Sequence, residues 1–287
     1  MQIILRHNMY KSIIDFGFGS FLTLGLSIGC LNWAHAKTPL LEHVAVYDVS
    51  LKEADERTGL SSMNGLIAYD FQGSQCDGYT TNFRFVVKVV NGDNEFVSDQ
   101  RATTYESSDG KNYSFSDRSF LNNQLESELK GNAKQIDDGL KVNLSIPKDL
   151  EVKLGSAIFP TAHIEKIIEK ALAGESFYKT KIYDAADDGD KIMLSTTIIG
   201  KSRTDVSEDN KEFAVLEDMK DKPYWPVNIA YFDSIDHKSE ALPTYQISFK
   251  LYENGVTRDL ILDYGDYSLK ALLKNLKVLP ATKCYRD

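Results

Sequence analysis

Cys76, in the stretch GSQCDGYTTNFRF from Gly73 to Phe85, has the widest choice of chemistry in the sequence. A thiol can serve as nucleophile, metal ligand or half of a disulfide. Cys30 lies in an apolar N-terminal run, which leaves Cys284 as the partner, and neither residue belongs to a CxxC pair. In an exported chain, two such cysteines read as one disulfide, Cys76 to Cys284. A nucleophilic Cys76 is the alternative. It needs a nearby histidine and leaves Cys284 alone in an oxidising space.

Other reactive groups form no motif. His43, His163 and His237 are widely spread and make neither HExxH nor an i, i+4 pair, so no metal site and no cofactor are expected. Structural or solvated roles account for His163 and His237. The run DAADDGDKIMLS, Asp184 to Ser195, has Gly189 where a calcium loop has its glycine. Ala186 and Ser195 then occupy ligand places, the latter where a bidentate glutamate is required, so the run reads as an Asp-Gly turn. G-x-S-x-G is missing, and Ser127 to Lys130 and Ser108 to Lys111 match S-x-x-K without a KTG partner. Carboxylates are plentiful enough to leave an envelope hydrolase as the weakest reading, with no pair singled out. The chain therefore reads as non-enzymatic. Trp225, in KPYWPVNIAYF, is the aromatic best placed for recognition; Pro226 holds it extended and suggests an edge or a bulge.

The elements that must position these residues are mostly strands. In YTTNFRFVVKVV, Phe83, Phe85, Val87 and Val89 fall on one face and Asn82, Arg84 and Lys88 on the other. In YQISFKLY, Tyr245, Ile247, Phe249 and Leu251 oppose Gln246, Ser248 and Lys250. Alternation of this kind marks strands with one buried face. Further candidates are AVYDVSL, GLIAYDF, EFVSDQRATTY, NYSFSD, LKVNLSI, SFYKTKIYDA, KIMLSTTIIG and VTRDLILDY. Asn91-Gly92, Asp109-Gly110, Asp138-Gly139, Asp188-Gly189 and Asn254-Gly255 lie between such segments and supply the positive φ that tight hairpins need. A long antiparallel sheet is expected, and it must curl into a barrel, spiral or sandwich to manage its edges.

One segment breaks the pattern. FPTAHIEKIIEKALAGES sets Ile164, Ile167, Ile168, Ala171 and Leu172 at helical spacing, with Thr161 as the expected N-cap and Gly174 as the stop. Such a helix covers or fills one opening of the β-core, or plugs an apolar cavity. Ser268 to Leu279 fits a strand or a short helix. The concave face, with Phe83, Phe85, Tyr245 and Phe249, is the candidate apolar ligand face.

Residues 1–36 read as a secretory signal peptide: Arg6 and Lys11, an apolar run, then Ala34-His35-Ala36, with cleavage after Ala36. SIGC at Ser27 to Cys30 offers a second reading, a lipoprotein modified at Cys30. Cleavage leaves 31 basic against 41 acidic residues, a net charge of −10. With no basic run, nucleic acid is not an expected partner. The apolar run is short for a bilayer span, so no transmembrane anchor is expected. Residues 37–287 carry no linker that would divide them and read as one domain.

The stretches GLIAYDFQGSQCDGYTTNFRFV, FPTAHIEKIIEKALAGESFYKTKIYDAADDGDK, YENGVTRDLILDYGDYSLK and LPATKC, in that order, resemble the alphaproteobacterial envelope-integrity protein B (EipB) family over residues 38 to 285. The resemblance implies a periplasmic β-spiral, an open barrel partly filled by its helix and similar in shape to lipoprotein carriers. It implies that Cys76 and Cys284 match the family's disulfide pair. It implies a role in keeping the cell envelope intact under stress, without enzymatic activity and with no ligand residues to carry over. Two functions stand at this point. One is a non-catalytic envelope protein binding an unidentified envelope protein or lipid, for which a homodimer is compatible; the other is a carrier of lipid or lipoprotein in an apolar cavity.

Overall fold

A computed structural model describes residues 39–205, 210–216, 219–233 and 242–284. Residues 1–36, expected to be a signal peptide and including Cys30, and His237 lie outside the described residues. The chain is mainly β: among the described residues fourteen strands form one antiparallel sheet, with one principal helix. The first meander runs through β1 (His43–Ala54), β2 (Leu60–Ser74), β3 (Gly78–Asn91), β4 (Asn94–Glu106), β5 (Asn112–Leu121), β6 (Gln124–Ile136), β7 (Gly139–Ile146) and β8 (Leu150–Leu154). Helix α1 (Pro160–Leu172) follows. The second meander comprises β9 (Phe177–Ile182), β10 (Met193–Ile199), β11 (Tyr224–Asp233), β12 (Tyr245–Tyr252), β13 (Thr257–Asp263) and β14 (Tyr267–Val278).

β14 pairs with β1, so the two meanders join at the middle of the sheet and β8 and β9 end at its two edges. Ser268 to Leu279 thus contains a strand, and its leucines alternate across the sheet instead of winding. The Asn-Gly and Asp-Gly glycines all adopt positive φ. So do Asn122 and Asn123, whose unread turn introduces β6, a strand absent from the expected set. β8 was likewise unread.

The wings of the curled sheet meet through a short backbone bridge and through side chains. Residues 157–159 carry the chain from the β8 edge to α1. Ile158 bridges Ile182 at the end of β9, and Gln135 of β6 donates to the Ala157 carbonyl at 2.8 Å. Tyr113 of β5 stacks on Phe159 at 5.0 Å and meets Tyr183 edge-on at 6.2 Å. Aromatic packing of this kind adds about 1 kcal/mol per pair to the area it buries, and here it holds together elements far apart in the strand order.

Helix α1 turns Ile167, Ile168 and Ala171 into the main core, while Leu172, expected on the same face, is 47% exposed. Its first turn corrects the expected cap: Phe159 is the N-cap residue and Pro160 the first helical one, and Thr161 lies inside. The capping group comes from another element. Glu106, at the end of β4, accepts the amides of Thr161 at 2.7 Å and Ala162 at 3.0 Å. These acceptors satisfy two of the free N–H groups of the first turn, so no local side-chain cap is needed. Gly174 ends the helix at φ 73°.

β11 corrects the edge expectation, since it lies between β10 and β12. Pro226 is tolerated because its carbonyl, which points the same way as its missing N–H, accepts from Gly200 at 2.7 Å, just beyond the end of β10. The ladder loses at most a terminal bond.

Candidate ligand cavity

The curled sheet and the start of α1 enclose a cavity of about 730 Å³. Strand alternation builds its wall. Tyr69 of β2 lies opposite Phe83 of β3, Phe83 opposite Ala102 of β4, and Ala102 opposite Asp117 of β5. The next row runs Phe71, Thr81, Thr104, Phe115 across the same strands. Large rings thus stand beside Ala102, Thr81 and Thr104, whose small side chains leave the space unfilled. The opposite wall comes from Ile229 and Tyr231 of β11 and Ile247 and Phe249 of β12. Its volume lies within the range of ordinary small-molecule sites.

Of the expected ligand face, Phe83 and Phe249 line the cavity. Phe85 and Tyr245 point to the same interior but are buried in the core and are not among the lining residues. Trp225 is 6% exposed and packs in the core opposite Leu251. The residues unforeseen at this site are apolar ones such as Tyr69, Phe71, Ile229 and Tyr231, and also polar ones. Asp117 accepts from Gln100 at 3.2 Å, and Asp184, just after β9, accepts the Ala186 amide at 3.1 Å. Burial raises the pKa of both, that of Asp184 to about 6. Period-two counting on NYSFSDRSF puts Asp117 on the face of Tyr113 and Phe115, a signal present in the sequence but unused.

His163, on the first turns of α1, is 2% exposed and lies 3.3 Å from Ser195 Oγ. Burial lowers its pKa to about 3, so the ring is neutral and structural. Among the described residues no three His, Cys, Asp or Glu side chains gather as metal ligands do. Ser127 lines the cavity, but β6 sends it and Lys130 to opposite faces, because three residues along a strand reverse the side chain. The S-x-x-K match therefore supplies no serine with an adjacent base.

Cys76 sits at the apex of the β2–β3 turn and is bonded to Cys284, with Cα atoms 5.7 Å apart. The nucleophile alternative is excluded by that bond. Glu42 reinforces the clasp: its carboxylate accepts the Gly73 amide at 2.8 Å, the Thr282 hydroxyl at 3.0 Å and the Thr282 amide. Burial opposes ionisation of Glu42, but these donors outweigh it and lower its pKa.

A family model described as EipB-like matches residues 34–280. The cell envelope integrity protein EipB of Brucella abortus (strain 2308) is 41% identical over 245 residues, which are 85% of this chain and 86% of the relative. The crystal structure of a beta-barrel-like protein of a domain of unknown function, also from Brucella abortus, superposes with a TM-score of 0.80 at 41% identity. It covers 84% of this chain and 99% of its own.

Proposed function

The chain belongs to the EipB-like family, and from that membership we propose a non-catalytic protein of the periplasm that supports envelope integrity by holding a lipid-like ligand inside its curled sheet. The relative named for envelope integrity supports the envelope role. The cavity of about 730 Å³, walled by aromatic rings and kept open by Ala102, Thr81 and Thr104, carries the choice of a lipid over an envelope protein as the bound component. Export through the leader ending at Ala36 belongs to this reading. No helix among the described residues is long and apolar enough to cross a membrane.

Deletion of the gene is expected to sensitise cells to detergent and to cell-wall antibiotics. Restoring the wild-type gene rescues them, whereas Ala102→Trp, which fills the cavity, accumulates as a folded protein and does not. Unchanged resistance on deletion, or full rescue by A102W, would overturn the proposal.

A further inference from the structure

The charges around the cavity are one-sided. Six acidic residues line it, Asp117 on β5, Glu126 and Glu128 on β6, and Asp184, Asp187 and Asp188 between β9 and β10, although strand alternation turns the Glu128 carboxylate to the face of Lys130. The described lining residues include no lysine and no arginine. Both lining imidazoles are buried and disposed toward the neutral form. Lys191 approaches Asp187 at 3.9 Å from outside the lining.

Two of these acids are fixed in place. Gln100 holds Asp117, and the Ala186 amide holds Oδ1 of Asp184. Oδ2 of Asp184 is buried and has no hydrogen-bond partner. A buried acceptor left without a donor is unfavourable, and a turn of the Asp184 side chain toward an N–H donor in the cavity would relieve it. The upward pKa shifts of Asp117 and Asp184 have the same origin, since burial has removed water and no lining side chain supplies positive charge.

Resting on the apolar-ligand reading above, we propose that the cavity selects an amphiphile with a cationic amine head, which Asp184 and Asp117 receive while the apolar chain lies against the aromatic wall. A phosphate or carboxylate head would meet like charge in a partly dehydrated site, where such juxtaposition is costly.

The test uses the mature protein and three ligands that share a dodecyl chain: dodecylamine, monododecanoylglycerol and dodecyl phosphate. Each is titrated below its micelle concentration by calorimetry and scored at one-to-one stoichiometry. Dodecylamine is expected to bind at least about tenfold tighter than dodecyl phosphate, with the glycerol head between them. Asp117→Asn with Asp184→Asn is expected to bring the amine-to-glycerol affinity ratio to about one, with circular dichroism verifying the fold. Phosphate binding as tight as amine binding, or a ratio unmoved in the variant, overturns the head-group assignment and leaves the apolar cavity standing. Failure of all three ligands to bind overturns both.

Discussion

Glu106 joins β4 to α1 through a single carboxylate, and that makes it a pH-sensitive joint. Burial raises its pKa from the ordinary 4.5 to about 7 against the pull of the Thr161 and Ala162 amides. The folded chain therefore prefers the protonated form. Its contribution is fully present below pH 4.5 and is lost as pH rises through about 7, a change on the order of 3 kcal/mol. Urea unfolding of wild type is expected to show this decline between about pH 5 and about pH 8, and Glu106→Gln to flatten it. Parallel profiles would contradict the assignment.

Cys76 makes a second prediction at this scale. The bond spans 208 positions, and the chain-entropy model puts its stabilisation at no more than about 5 kcal/mol. Cys76→Ser and Cys284→Ser should each melt well below wild type without reductant, and reduced wild type should match them in calorimetry. Variants melting with oxidised wild type would show the clasp to be idle. The cysteine pair was legible because counting and compartment sufficed. Glu106 was not, since its partners lie 55 and 56 positions away and nothing local marks it as a cap.

Among the elements, hairpins declared themselves through alternation and glycine turns, and β6 was missed because Asn122-Asn123 does the same work without glycine. The β10–β11 connection was illegible for a deeper reason. It inserts Glu212 against Arg258, both fully buried, at 3.1 Å. The other carboxylate oxygen accepts the amides of Asp259 and Leu273 at 2.8 Å, so the loop satisfies backbone groups of β13 and β14. Arg258 also donates to Tyr252 at 3.0 Å and lies over the Tyr224 ring. Such partners meet only after the sheet has formed. Glu212→Ala leaves a buried cation and two amides unpaired and is expected to cost about 3–5 kcal/mol. Chemical denaturation measures it, and a loss under about 1 kcal/mol would show that water reaches the site.

At the scale of the whole molecule, the composition pointed to a curled sheet but could not say whether its interior was solid. Phe83 and Phe249 signal only a buried face. The space arises because register sets Phe83 opposite Ala102 and brings Thr81 beside Thr104, an outcome of pairing that alternation within one strand does not encode. Nor could periodicity place Asp184 there, because it follows β9 in a loop with Ala185 and Asp187 at positive φ.

The central claim is that this space is a receptacle. Native mass spectrometry of the mature protein, released gently from the envelope without reducing agent, tests it most directly. The account predicts one adduct of lipid size on wild type, removed by organic extraction and missing from a folded Ala102→Trp variant. A bare wild-type mass, or the same adduct on both proteins, would contradict it.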